Sequence, residues 1–478
     1  MSLARALSRF TRFSLGLETP LERRNMLNAT IEGSLVVAGV QIVVAFVGVY
    51  LLALGGDATQ LSLVNSLPFL FNALSLIIVT QSRGTPRQIL GYAVRAGVAH
   101  RLVLALLPLA PFWGMWAPWW VIIVYSLASA ALMLSSAYWT ATVSDMFPAH
   151  IRGRVFGVRQ MFTGLSAFVA TSLAGKLLDL IAFPYNYAAA FGAAVAVAGW
   201  GTFFLTRLVP AGEADKEEAA PPSLREFVGT EASRALWKVA VPVGVFNIGF
   251  FMLNPVINLY FVEVLELSNA QIGLLSAVFV IAQTIGSWLW GALADRHGNH
   301  TVTIAATLGL AVQAIGYWLS PSLYYLIFVQ AVGGFCFAGF LLATFNTVIG
   351  IGDRQQKTLV VSSYHFIGNM ASFLAPFLGT WAYTGPGLVA AFLLAGLLRA
   401  VSAALLLQGR PARRQGVPGE HHRGIATGRR APRGPGFGRA ERVRFLSLKI
   451  LGTMAFRSVS SNTRERRPEF RCHTIGGT

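Results

Sequence analysis

A chain of 478 residues that is 54% hydrophobic, 12% aromatic and only 12% charged, with a mean hydropathy of +0.58, is not built for water. Soluble globular proteins carry roughly a quarter of their residues as charges. The formal charge of +18 does not describe a nucleic-acid-binding face: Gly409–Thr478 alone hold 16 basic residues against 4 acids, so the excess belongs to a tail. Two cysteines, Cys336 and Cys472, support neither a disulfide framework nor a metal site.

In chain order, a basic, polar segment (1–30) precedes apolar runs at Ile31–Leu54, Leu61–Thr80, Arg101–Trp113, Pro118–Tyr138, Val158–Leu178 and Pro184–Leu208. After a polar stretch (209–236) the runs resume at Trp237–Val262, Ala270–Leu293, Thr301–Leu319, Leu323–Asn346, Leu359–Tyr383 and Gly387–Gln408. Most reach the ~20 residues that an α-helix needs to cross a bilayer. The third is short and broken by Pro108 and Pro111, and is kept because the loop charges require it. A cleavable signal peptide is not expected, since the first run is too long and starts late.

With the N-terminus inside, the inner segments before the tail collect 20 basic residues, from Arg5 to Lys357, against Lys176 alone outside. Such a bias sets orientation, so both termini are expected in the cytoplasm. The linker, with Glu213, Asp215, Lys216, Glu217, Glu218 and Pro221–Pro222, reads as a solvated connection between two halves. Phe162, Gly164, Ala167 and Gly175 recur at an offset of 204 as Phe366, Gly368, Ala371 and Gly379, in the fifth and eleventh runs. A duplicated six-helix unit would place them so. In the tail (409–478), 24 of the 32 residues Gly409–Ala440 are Gly, Arg, Pro or Ala. That composition cannot bury a core. The tail reads as a basic arm for anionic lipid, as a dispensable segment, or as the product of a shifted reading frame.

Gly291-Ala-Leu-Ala-Asp295-Arg296-His297-Gly298-Asn-His300 closes the eighth run, and Pro148-Ala-His-Ile-Arg152-Gly153-Arg154-Val-Phe-Gly157 opens the fifth. Together they resemble the signature loops of the major facilitator superfamily of transporters, and with the twelve runs the resemblance covers about residues 25–408. It implies an all-α integral membrane protein with twelve transmembrane helices in two pseudo-symmetric six-helix bundles, 31–208 and 237–408. It also implies a conformational latch of Gly291, Asp295, Arg296 and Gly298 with Arg154 and Arg159. Asp295 would face the N-terminus of the fifth helix, where a carboxylate is favoured; the alternative is a solvated turn that only fixes topology. The first-half counterpart, Gln81-Ser82-Arg83-Gly84-Thr85-Pro86-Arg87, lacks the acid, and the fifth run lacks the glycine-proline motif of the antiporter branch.

Substrates in such folds bind near the midplane between halves. Polar residues sharing a face there are Asn247, Asn254 and Asn258 around Pro255, His365 and Asn369 in the eleventh run, Asn65 and Asn72 around Pro68, Gln283, and Gln41. The cavity candidates are Gln41, Asn72, Asn254, Asn258, Gln283, His365 and Asn369; each is equally a residue that bonds to a neighbouring helix. His365 is proton-linked, substrate-binding or structural. Arg399, on a helix that is peripheral in the superfamily, is expected to be structural or to snorkel. Glu32 is placed at the inner interface, about 11 residues from the centre of the first run, and no carboxylate is expected near a midplane.

The expectation is a monomeric secondary transporter in the cell membrane. It moves a small, neutral or weakly polar organic solute, with export and uptake equally open. No enzyme activity, cofactor, metal or nucleic-acid partner is expected. The rival is a non-transporting protein on the same scaffold, such as a lipid scramblase or a ligand sensor.

Overall fold

Hydrocarbon offers no partner to a bare N–H or C=O, so a chain this apolar must satisfy its backbone within helices. The computed structural model describes residues 17–409 apart from 18, 83, 148, 211–223, 354 and 355. The tail beyond Gly409, with its expected lipid contact, lies outside them. The described residues form twelve long helices: α1 (Pro20–Ala53), α2 (Ala58–Gln81), α3 (Pro86–Leu104), α4 (Ala117–Met146), α5 (Ala149–Leu180), α6 (Tyr185–Leu205), α7 (Glu231–Phe251), α8 (Asn269–His297), α9 (Asn299–Leu319), α10 (Leu323–Ile349), α11 (Lys357–Thr384) and α12 (Leu388–Gln408). All but α3 and α11 are long and apolar enough to cross a membrane, ten among the described residues.

Capping boxes set several starts. Thr19, Asp57, Thr85 and Ser268 each accept from the backbone three residues on, and Glu22, Gln60, Gln88 and Gln271 return the bond. This is the reciprocal arrangement that satisfies two orphan donors. It carries α1 eleven residues upstream of its apolar run. α7 likewise begins at Glu231 rather than Trp237, after a one-turn helix Leu224–Val228.

The third run is corrected. The helix is Pro86–Leu104, and the stretch expected to span is mostly a tight 3-10 segment, Leu107–Trp116, in which Gly114 sits at φ 52°. Four basic or titratable side chains, Arg87, Arg95, His100 and Arg101, hide α3 from an apolar count. His100 and Arg101 are nevertheless buried, and Arg101 donates to the Gly97 and Ala198 carbonyls at 2.8 and 3.4 Å. Arg101 is therefore not a loop charge but the sixteenth residue of a helix packed inside protein.

The helix pairings repeat. α1 packs on α5 and α6, α4 on α2 and α3, and α3 on α6; in the second half α7 packs on α11 and α12, α10 on α8 and α9, and α9 on α12. The halves meet through α5 with α8 and α2 with α11. The residues repeated at an offset of 204 thus lie on helices with equivalent neighbours. At the end bearing the α1–α2 and α7–α8 turns, one continuous core runs across both halves, through Leu51, Leu61, Tyr187, Leu259, Ile272 and Ala382. At the opposite, basic end the core is divided. Met26, Trp139, Phe147 and Val155 cluster in the first half, and Phe227, Leu236, Val348 and Val360 in the second.

Candidate functional site

Pro255 has no N–H and its ring crowds the carbonyl four residues back, which belongs to Phe251, the last residue of α7. The helix breaks there and resumes as Leu253–Leu259, followed by a π turn Tyr260–Val264. Beside this break lies a cavity of about 410 Å³ lined from both halves. The first half contributes Gln41 of α1, Asn65, Pro68 and Phe69 of α2, Tyr125 of α4 and Thr171 of α5. The second half contributes Phe250 and Phe251, Asn254 and Asn258 beyond the break, and Ser276, Phe279 and Gln283 of α8. Asn258 donates to the Asn254 carbonyl at 2.9 Å and lies against Gly48 of α1, where a Cβ would sit 2.8 Å from its amide nitrogen.

Of the seven candidates read from the sequence, Gln41, Asn254, Asn258 and Gln283 line this cavity, and Asn72, His365 and Asn369 do not. The Asn369 amide donates to the His365 carbonyl at 2.8 Å, and the His365 ring lies between Tyr364 and Phe345. The Asn72 Oδ1 is buried without a partner.

Among the lining residues that were not candidates, a connected group comes from the outer helices of the second half: Gln313 and Tyr317 of α9, Gln330 of α10 and Arg399 of α12. Arg399 does not snorkel. It is 1% exposed, donates from Nε to the Gly249 carbonyl at 3.1 Å, and donates from Nη1 to the Leu310 carbonyl at 2.6 Å and Gln313 Oε1 at 2.9 Å. The Phe250 ring lies 4.9 Å from its guanidinium carbon. The available signal was that each is a strongly polar residue in an otherwise apolar helix, and such residues turn toward protein or a cavity rather than lipid.

Glu32 lies nine residues from Gln41 toward the basic end of α1, 6% exposed, with Oε2 3.3 Å from Nη2 of Arg159 on α5. Arg159 further donates to the Ala29 carbonyl at 3.1 Å and covers the Trp139 ring at 4.0 Å. This ion pair joins helices of the same half. Arg159 is thus engaged away from Asp295. Asp295, Arg296 and Arg154 are exposed, and none of them makes an ion pair among the described residues. Gly298, at φ 83°, makes the turn from α8 into α9.

The contacts that close the molecule lie at the other end. Both carboxylate oxygens of Asp179, at the end of α5, accept the first backbone N–H groups of α8, Asn269 and Ala270, each at 2.9 Å. That is the placement a helix N-terminus favours for an anion. Beside it a Cβ on Gly175 would lie 2.6 Å from the Asn269 carbonyl oxygen, so the two backbones touch. Ser62 of α2 donates to the Pro376 carbonyl at 3.2 Å and bonds Thr380 of α11, which reaches the Ala58 carbonyl at 3.3 Å. Toward the basic end, a Cβ on Gly153 or Gly157 of α5, or on Gly291 of α8, would meet nothing within 4 Å.

The model of the Major Facilitator Superfamily matches residues 243–463. The chain is similar to the multi-drug resistance efflux pump PmrA of Streptococcus pneumoniae, 26% identical over 151 residues, 31% of this chain and 38% of the pump. It is also similar to a PmrA homologue of Lactococcus lactis, 25% identical over 177 residues, 34% of this chain and 42% of that one. The matched stretches therefore span less than half of these relatives. Among solved structures, a bacterial homologue of the human lysosomal transporter Spinster, inward-facing and unoccupied, aligns over 82% of this chain and 96% of its own, with a TM-score of 0.57 at 15% identity. The nucleoside transporter NupG aligns over 80% and 98%, with a TM-score of 0.62 at 14% identity. The chain is thus similar to the major facilitator superfamily in sequence over its second half, and it shares the fold of these solved transporters over both halves.

Proposed function

We propose that this protein is a secondary transporter carrying a small organic solute across the cell membrane by alternating access between its halves, residues 31–208 and 237–408. The observation that carries the reading is the cavity lined by both halves, with α5 and α8 joined at one of its ends and the apolar core divided between the halves toward the other. Positive-inside bias makes the basic end cytoplasmic, so this is an inward-open state with both termini inside. In the opposite state Asp295 meets the N-terminal turns of α5 near Arg154, while Asp179 releases α8. The PmrA pumps support a solute that leaves the cell, and an alternating-access cycle can run in either direction.

Flux of labelled solutes into and out of proteoliposomes tests the proposal. Transport is expected to fall at least tenfold in Asn254→Leu or Gln283→Leu, because an apolar replacement removes hydrogen bonds that only a bound solute satisfies. Binding without flux, or movement of labelled lipid with no movement of solute, would overturn it in favour of a sensor or a scramblase.

A further inference from the structure

Arg399 is the one formally charged residue lining the cavity, and no acid is paired with it among the described residues. A cation buried at the middle of a membrane helix is costly unless something supplies the opposite charge. Two backbone carbonyls and one amide oxygen solvate its Nε and Nη1 hydrogens. The two hydrogens on Nη2 take part in none of these bonds.

The direction of the neighbouring hydrogen bonds follows from Arg399, because a guanidinium can only donate. Gln313 must present its oxygen to Nη1, so its amide nitrogen points away and donates to Tyr317 Oη at 3.0 Å. The Tyr317 hydroxyl, already accepting, donates to Gln330 Oε1 at 2.9 Å. Gln330 is left with its amide nitrogen, which has no partner among the described residues. Each side-chain oxygen in the string is thus engaged by a donor, and the two ends that remain, Arg399 Nη2 and Gln330 Nε2, both donate. All four residues are at most 7% exposed.

We infer that the cavity recognises an anionic group, a carboxylate or phosphate, which Arg399 pairs with, while Gln330 donates to a further acceptor on the same solute. The inference rests on the transport reading for the site and narrows its solute from the neutral or weakly polar molecule expected from the amides alone. A free organic anion and the head group of an anionic lipid share this chemistry.

The test is thermal stabilisation of the detergent-purified full chain by sodium salts of short-chain and aromatic carboxylates and of glycerol phosphate. Each salt is compared with its methyl ester or amide, or with glycerol. The acids are expected to bind at least about tenfold more tightly than their uncharged counterparts, as befits a hydrogen bond to a charged group. Arg399→Gln should erase that preference. Gln330→Leu leaves the guanidinium in place and should weaken acid binding several-fold, so the test survives if Arg399→Gln fails to fold. Equal binding of acids and esters to the native protein would overturn the inference. Nanodiscs of phosphatidylcholine, with and without phosphatidylglycerol, separate the sources: competition between phosphatidylglycerol and the soluble acids assigns the site to a lipid head group, and its absence to a free solute. Flux of uncharged solutes with no anion preference would sink this inference and leave transport standing. Anion binding with no flux would do the reverse.

Discussion

At the scale of single residues, the buried ionisable groups divide by what surrounds them. Glu32 and Arg159 have each other, the Ala29 carbonyl and the Trp139 face, so their charges are matched inside one half. Removing one partner of a buried pair strands the other, at a cost of about 3–5 kcal/mol. Arg159 keeps 17% side-chain exposure, which favours the low end. Glu32→Ala should therefore lower the melting temperature of the purified protein markedly, and Glu32→Gln, which keeps an acceptor, much less. Similar losses in both would show that the charge, which both variants remove, carries the effect and the retained acceptor contributes little. The pair was hidden in the sequence because its members lie 127 residues apart and meet only where α1 packs on α5.

At the scale of elements, the α5–α8 contact decides which end is shut. Gly175 lies against the Asn269 carbonyl and Asp179 holds the first turn of α8, so backbone contact and charge act on the same few residues. A bulky side chain forced into such a contact costs roughly 1–3 kcal/mol. Gly175→Leu should part these helix ends, seen as a longer distance between spin labels on α5 and α8 beside the seal. An unchanged distance distribution would mean that another contact, such as Ser62 with Thr380, holds that end alone. Helix existence was legible in most apolar runs, and the starts of α1, α2, α3 and α8 were legible in their capping boxes. α3 was not legible by hydropathy, because Arg95, His100 and Arg101 count as polar although the last two are buried against protein rather than lipid. Pro86, directly after Thr85 and two residues before Gln88, was the local sign of its true start.

At the scale of the whole molecule, two antiparallel helices each carry an acid near the C-terminal end, Asp179 on α5 and Asp295 on α8. Only Asp179 is engaged here. A carboxylate at a helix N-terminus contributes up to about 2 kcal/mol, and 1.4 kcal/mol is a tenfold shift in a two-state equilibrium. Asp179→Ala should therefore move the population about tenfold away from the state in which Asp179 holds α8, read as shorter distances between spin labels at positions 154 and 295. No change in those distances would refute a balance set by the two acids.

The sequence by itself determined the solvent, the helical class and the duplication. Each follows from sums over many residues: apolar content, run length, loop charge and a repeat at one offset. Tertiary structure alone decided which end is closed and what the cavity offers a ligand. Arg399 acquires its meaning from Gly249, Leu310 and Gln313, which lie 150, 89 and 86 residues away in the chain. Whether a guanidinium is a structural strut, a snorkelling anchor or an unneutralised charge in a cavity depends on the groups within a few ångströms of it. The packing of distant helices chooses those groups, and no local property of α12 encodes that choice.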